Sequence, residues 1–473
     1  MAMNMLAIDI GNSHGRVMIG KFDGTRIQLE EVHTFLNGGE RVNNNFYWDI
    51  LQLFAEIKTG IKKAVQSTDN KITSIGIDTW GLDYGLLDRQ KNLIGFPYNY
   101  RDNRTRNLYD NIFKIISKKE IYRQTGIQFM EINTLVQLYA DLCYRPWILE
   151  NAQYFLMIPD LLNFFLSGEI YNEYTNASTT QLFNPVEDKW ARQVMAKLGI
   201  PSDLFGKIIY PGTYYGDLKT DLKDECGLKG NLQVISVGSH DTASAIAAAP
   251  LKNENDIFIS SGTWSLVGME LNHPIITDQA REDNFTNELG VERKIRFLKN
   301  LTGLWLVQEC KRSWVSKGLN LDYDQIYNAA EKAASGKFII NPDDSCFLNP
   351  LDMPTEIRNY CQKTGQSVPA EPGEMARGIY ESLAFSYNKI IKKLESLTGN
   401  NAEKICIVGG GAKIKLLSKL TATISGKDVI VGPIEATIMG NCLTQLLAAK
   451  EINSLEEGRK IVTRSTNIAV FHP

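Results

Sequence analysis

An aspartate interrupts an apolar run, Leu6-Ala7-Ile8-Asp9-Ile10, and the run opens at once into Gly11-Asn12-Ser13-His14-Gly15-Arg16. A carboxylate among apolar neighbours costs desolvation free energy unless a cation or donor compensates it, so Asp9 is a candidate partner of a magnesium ion, directly or through water. The turn from Asn12 to Arg16 consists of glycine and small polar residues, whose exposed backbone N–H groups suit an anion. Arg16 can neutralise a phosphate. An ordinary hairpin with a polar tip accounts for the same residues. The pattern returns in altered form as Ile257-Phe258-Ile259-Ser260-Ser261-Gly262-Thr263-Trp264, and a chain that makes an anion-gripping turn twice is expected to fold around a nucleotide.

Three other stretches carry chemistry. Gly409-Gly410-Gly411 follows an apolar strand pattern; its glycines allow close backbone approach to a flat ring or a ribose, and a flexible turn is the bland reading. It is neither a P-loop nor a dinucleotide fingerprint, since the Lys-Ser/Thr pair and the GxGxxG spacing are both missing. Ser239-His240-Asp241-Thr242 follows the apolar strand Val234 to Val237. Ser or Asp before an alanine-rich run suits a helix N-cap; an aspartate at a strand end also suits removal of a proton from a sugar hydroxyl, with His240 and Thr242 as further hydrogen-bonding groups. Trp80-Gly81 pairs an aromatic face with bare backbone, a common wall for a sugar. In Tyr100-Arg101-Asp102-Asn103-Arg104, a surface ion-pair cluster is the preferred reading for Asp102 and Arg104.

The elements that must position these groups follow from periodicity. Strands are expected at Leu6–Ile10, Arg16–Phe22 and Ile27–Phe35, with Asp23-Gly24 as a turn. Ile50, Leu53, Phe54, Ile57, Ile61, Ala64 and Val65 recur at three- and four-residue spacing, which predicts an amphipathic helix over Trp48–Ser67, capped near Asp49. Buried-type strands follow at Ile72–Asp78 and Tyr84–Asp88. The second half repeats the order: a hairpin at Ile257–Glu270, a long helix at Glu374–Leu397, a strand at Lys404–Val408, a helix from about Lys413 to Ser425 and a strand at Asp428–Val431. The crossover between halves is expected near Ala243 to Asn255.

Composition narrows the possibilities. A chain of 473 residues exceeds the size of one growing core. A formal net charge of −3 without a basic run leaves no electrostatic footprint for nucleic acid or an anionic membrane. Seven cysteines without a CxxC pair and five histidines without metal spacing speak against a disulfide framework or a zinc site, and a reducing cytosol is expected. Met1-Ala2-Met3-Asn4 leads into a strand pattern without the features of a signal peptide.

At the level of motifs, Asp9-Ile10-Gly11 with Gly15-Arg16, Ile77-Asp78-Thr79-Trp80-Gly81, Tyr100-Arg101-Asp102, Ser239-His240-Asp241-Thr242-Ala243, Ser260-Ser261-Gly262-Thr263-Trp264, Leu298-Lys299-Asn300 and Val408-Gly409-Gly410-Gly411 together resemble the FGGY carbohydrate kinases. The likeness covers nearly the whole chain, including Glu173-Tyr174-Thr175-Asn176-Ala177 and Phe338-Ile339-Ile340-Asn341-Pro342. It implies an α/β chain of two ribonuclease-H-like, actin-like ATPase domains facing across an interdomain cleft, with residues 1–245 on the sugar side and 246–473 on the nucleotide side. It also implies transfer of the γ-phosphoryl group of ATP, with Mg²⁺, to the C1 hydroxyl of a ketose, L-rhamnulose. By position, Asp241 would be the general base, with Gly81, His240, Thr242 and Asn300 lining the sugar site, next to the wall expected of Trp80. Asn12, Ser13, His14, Gly15, Arg16, Thr263, Gln308 and Gly410 would hold ATP, and Asp9 would sit at the metal. One departure stands out: Asn12 and His14 replace the smaller residues the family more often has there, a bulkier turn that can alter nucleotide fit and, through His14, add pH sensitivity. L-Fuculose or xylulose as acceptor, and a non-sugar actin-like ATPase, remain alternatives. The expected partners are a small ketose and ATP, without nucleic acid or membrane, in a monomer or homodimer.

Overall fold

The computed structural model describes residues 3–348 and 350–473; Met1, Ala2 and Asn349 lie outside the described residues. The chain forms two compact units, one of Met1–Ala248, Leu271–Phe297 and Ala436–Ser465, the other of Ala249–Glu270, Leu298–Glu435 and Thr466–Pro473.

In the first unit, β1 (Met3–Ile10) and β2 (His14–Phe22) form an antiparallel hairpin with Asp9 opposite Arg16, and β3 (Ile27–Leu36) follows. The Asp23 carboxylate closes the β2–β3 turn by accepting the N–H groups of Thr25 and Arg26. Helix α1 (Ile50–Ser67) starts where the Asp49 side chain accepts the Gln52 N–H at 3.0 Å. It buries Ile50, Leu53, Ile57, Ile61, Ala64 and Val65 of the stripe the spacing foretold, and leaves Phe54 half-buried. Trp48, placed in the helix by the sequence reading, instead precedes it as a buried core residue. Strand β4 (Ser74–Thr79) runs parallel to β1, and β5 (Tyr214–Asp217) and β6 (Gln233–Ile235) complete the order β5-β6-β4-β1-β2-β3. Helices α2 (Tyr174–Thr179) and α3 (Asp241–Ala247) lie beyond the strand ends.

The second unit repeats this plan. Strands β7 (Ile257–Ser261) and β8 (Trp264–Leu271) form its hairpin. After β9 (Thr286–Leu289), which belongs to the first unit, come β10 (Ile295–Thr302), whose residues Ile295 to Phe297 also belong to the first unit, then β11 (Lys404–Val408), β12 (Asp428–Val431) and β13 (Ala469–Phe471). Within this unit the order is β10-β8-β7-β11-β12-β13, with β11 parallel to β7 and β12 parallel to β11. A hairpin, a parallel pair and an antiparallel edge therefore appear twice. Helix α6 (Lys415–Ser425) packs on β12, α5 (Pro372–Thr398) packs on α6, and α4 (Trp305–Ser316) touches α5.

Side-chain alternation along β1 explains why a late segment joins the first unit. Leu6, Ile8 and Ile10 pack with α1, whereas Met5 and Ala7 pack on Ile438, Met439, Cys442 and Leu443 of α7 (Ala436–Ala448). The first sheet is thus covered on both faces only when the chain returns to it. A single cut at residue 245 does not describe the compact units for this reason.

Candidate active site

The carboxyl ends of parallel strands are where open α/β sheets hold their ligands. In the first unit, the segment leading to α3 extends this edge: Thr79 N–H donates to the Ser239 carbonyl at 2.9 Å, and Thr79 pairs in parallel with His240. Asp9 at the end of β1, Asp78 in register with it on β4, and Asp241 therefore share one electrostatic neighbourhood. The helix-cap reading of Ser239 is corrected here. Its hydroxyl donates to the buried Glu173 carboxylate at 2.6 Å, which also accepts the Thr175 and Asn176 N–H groups at the start of α2. His240 takes the cap position and Asp241 the first helical turn.

Asp241 Oδ1 accepts from Thr242 N–H at 2.5 Å and from Thr242 Oγ1 at 3.1 Å. Among the described residues no group hydrogen-bonds its Oδ2. Desolvation and the negative charge of Asp9 push its pKa up to about 7, outweighing the Thr242 hydrogen bonds and the pull of Arg296. Asp9 itself pairs with Arg16 Nη2 at 2.9 Å. Asp78 is fully buried and held well above the usual carboxylate range by desolvation and by Asp9. Its Oδ2 accepts from Asn441 Nδ2 on α7 at 2.7 Å, and its Oδ1 has no hydrogen-bond partner. His240 is 9% exposed; its Nδ1 lies 3.1 Å from Arg296 Nη2.

In the β1–β2 turn, Gly11 N–H donates to the His14 carbonyl at 2.9 Å, leaving Ser13 and His14 exposed. A side-chain carbon at Gly15 would run into the Phe35 ring, so only glycine fits. Asn12 Nδ2 donates to Tyr100 Oη at 3.0 Å. The expected aromatic wall is corrected: Trp80 is only 4% exposed and packs against Trp48 at 4.1 Å between ring centroids. Both indole N–H groups end on Asp83 Oδ2, at 2.6 Å from Trp48 and 2.9 Å from Trp80. Tyr100 N–H joins them at 3.1 Å, and Gln137 donates to Oδ1 at 2.8 Å. Burial still pushes the Asp83 pKa up to about 6. Trp80 thus braces the neighbouring backbone, where Gly81 lies so near Thr179 that an added carbon would sit 3.0 Å from its Oγ1.

The other expected nucleotide residues converge in the second unit. Thr263, at the tip of the β7–β8 hairpin, donates through Oγ1 to Gln308 Oε1 on α4 at 3.2 Å. Its carbonyl accepts the N–H groups of Gly303 and Trp305. The glycine turn after β11 lies against the same hairpin. Gly409 has φ +83° and packs on the Ser261 carbonyl, and a side chain at Gly411 would collide with Ser261. Gly410 is open, the nearest atom to an added carbon being 4.0 Å away. Asn300 lies on β10 in this second unit, whereas Trp80, Gly81, His240, Asp241 and Thr242 belong to the first.

Asp78, Asp83, Glu173, Glu288 and Arg296 received no role from the sequence. A charged residue inside an apolar run, the signal that singled out Asp9, is equally present in Ile75-Gly76-Ile77-Asp78 and Ile295-Arg296-Phe297. Among the described residues no ready-made group of three or more metal ligands exists. The neighbourhood nevertheless suits a cation, because the charge of Asp9 raises the proton affinity of both Asp78 and Asp241, Asp241 adds to that of Asp78, and Asp78 Oδ1 is orphaned.

Residues 4–247 match the N-terminal domain, and residues 257–449 the C-terminal domain, of the FGGY family of carbohydrate kinases. A rhamnulokinase of Oceanobacillus iheyensis is 42% identical over 466 residues, covering 98% of this chain and 97% of the relative. One of Bacteroides thetaiotaomicron is 39% identical over 473 residues, covering 100% and 96%. Among solved structures, a ligand-bound xylulose kinase from Lactobacillus acidophilus superposes with a TM-score of 0.80 at 16% identity, covering 100% of this chain and 94% of that one. This likeness bears on the fold, two α/β domains of the actin-like ATPase kind. With both family domains matched in order and relatives aligned end to end, this chain is a member of the FGGY family of carbohydrate kinases.

Proposed function

We propose that the chain transfers the γ-phosphoryl group of ATP to the C1 hydroxyl of L-rhamnulose, giving L-rhamnulose 1-phosphate and ADP. The observation that carries this reading is the 39–42% identity, over almost the entire chain, to proteins named rhamnulokinase. The geometry of Asp241 supports the chemistry. Its Oδ2 makes no protein hydrogen bond, and a proton affinity near neutrality suits a general base, a role worth roughly 10²–10⁴-fold. Asp241 takes the C1 hydroxyl proton, the oxygen forms its bond to the γ-phosphorus, and the bond to the β-phosphate oxygen breaks as ADP departs.

Gly81, His240, Thr242 and Asn300 contact the sugar in this reading, with Trp80 as brace. The turn Asn12-Ser13-His14-Gly15-Arg16, together with Thr263, Gln308 and Gly410, holds ATP. Asp9 holds the Mg²⁺ side of the site, where the ion, when bound, neutralises phosphate charge. Arg16 then has two anionic neighbours to serve, Asp9 and phosphate. Among the described residues no helix is long and apolar enough to cross a membrane, and we place the enzyme in the cytosol.

The test is product analysis. The purified protein incubated with ATP, Mg²⁺ and L-rhamnulose should form a phosphoester whose ³¹P–¹H coupling places it on C1. Phosphate at another carbon, or release of inorganic phosphate without a sugar ester, contradicts the reading.

A further inference from the structure

We infer that Arg296 is a positioning residue that holds neutral His240 in its Nε2–H tautomer, so that the imidazole serves the sugar as a hydrogen-bond donor beside Asp241 rather than as a second base. The inference deepens, and rests on, the assignment of Asp241 as the base.

Arg296 stands in an apolar strand, Ile295-Arg296-Phe297, and is completely buried. Its Nε and Nη2 donate to the Leu289 carbonyl at 3.1 and 2.9 Å, which fixes the guanidinium plane. The same Nη2 lies 3.1 Å from His240 Nδ1. A guanidinium has no lone pair to offer and cannot deprotonate in a protein, so Nδ1 must be the acceptor. The ring proton of a neutral imidazole then resides on Nε2.

Glu288 is the competing influence, since an acceptor near Nδ1 would draw the proton there. Its Oε2 lies 3.5 Å from Nδ1, outside ordinary N–H···O range. Its charge is balanced by Arg296 Nη2, an ion-pair contact at 3.4 Å in which Oε2 accepts no hydrogen bond. The charged groups facing the ring are therefore Arg296, Glu288 and Asp241. Burial and the adjacent guanidinium both disfavour an imidazolium, holding the His240 pKa well below its ordinary value.

On the other side of the ring, Nε2 stands 3.5 Å from Asp241 Oδ1. That is too long for a good hydrogen bond within the protein, so the Nε2–H retains donor capacity beside the base. The His240 backbone is fixed as well, its N–H donating to Thr175 Oγ1 at 3.2 Å. Asp241 removes a proton while His240 supplies one hydrogen bond to a neighbouring substrate oxygen, and Arg296 keeps the two duties separate.

The decisive measurement is the ¹⁵N spectrum of the histidine side chains in the full-length protein. The chain has five histidines, and a His240→Asn variant assigns the resonance. Wild-type His240 should show an unprotonated Nδ1 and a protonated Nε2, unchanged from about pH 5 to about pH 8, the window in which ordinary histidines titrate. The Nδ1–H tautomer, or titration within that window, overturns the proposal. Arg296→Lys should mix the tautomers and lower kcat/KM for the sugar about tenfold, the scale of one hydrogen bond, with KM for ATP nearly unchanged. Retention of both the wild-type tautomer and the wild-type kcat/KM would overturn it too. If that variant does not fold, the wild-type spectrum alone decides. Because the tautomer is read without turnover, a wrong substrate or base assignment fails in product analysis and leaves this spectrum untouched.

Discussion

Burial and Asp9 push the Asp241 carboxyl up to about 7, and both kinetics and stability should register that shift. As a base it acts only when ionised, so kcat/KM for the sugar should rise with pH up to about 7 and then level. Asp241→Asn should lower kcat at least ~100-fold while sugar and ATP affinities stay within a few fold. A variant retaining more than about a tenth of wild-type kcat would remove Asp241 from the role of base. For stability, the folded state binds this proton more tightly than the unfolded chain, whose aspartate titrates near 3.8. The stabilisation is fully present below that value and is lost as pH rises through about 7. Thermal melts should therefore show Asp241→Asn more stable than wild type at pH above the folded pKa and indistinguishable from it in acid. A variant less stable at both ends would show that the carboxylate is not strained by its site.

Among the elements, the glycine turn after β11 separates ligand contacts from packing. Gly411 is required by Ser261, whereas Gly410 faces open space. Gly410→Val should leave the melting temperature nearly unchanged and weaken ATP binding at least about tenfold, with sugar binding spared; calorimetry showing wild-type ATP affinity would exclude Gly410 from the nucleotide site. Much of this scale was legible beforehand. The stripe from Ile50 to Val65 marked α1 because helical spacing selects one buried face, and Asp49 marked its start. The two hairpins and the strand before Gly409 followed from alternation and turn residues. Partners were not legible. Trp80 reads as a wall by composition, but only the fold reveals that Trp48 covers its ring and that Asp83 ties down both indoles. Arg296 likewise signals its own importance by sitting in an apolar run, yet its proximity to His240 depends on the start of β10, more than fifty residues downstream, returning to the residue that caps α3.

At the scale of the molecule, the same strand plan is used twice, and the first copy is completed by a late part of the chain. Asn441 on α7 donates to Asp78 Oδ2 and the Gly76 carbonyl, while Gln445 links Asn441 to the Leu6 carbonyl. A side chain at Gly440 would collide with the backbone of Ser244, so α7 also seats α3, the helix that Asp241 opens. The acidic strand edge of the N-terminal family domain is thus built in part by residues of the C-terminal one, a dependence no local pattern announces. The proposed phosphate turns serve any acceptor equally, so it is the choice of sugar that distinguishes L-rhamnulose phosphorylation from the alternatives. The most direct test is kcat/KM of the purified enzyme, by ADP release, for L-rhamnulose, L-fuculose and L-xylulose at saturating ATP and Mg²⁺. L-Rhamnulose should lead by at least about tenfold, the scale of one well-made polar contact; a faster turnover of either other ketose, or ADP release indifferent to sugar, would contradict the assignment.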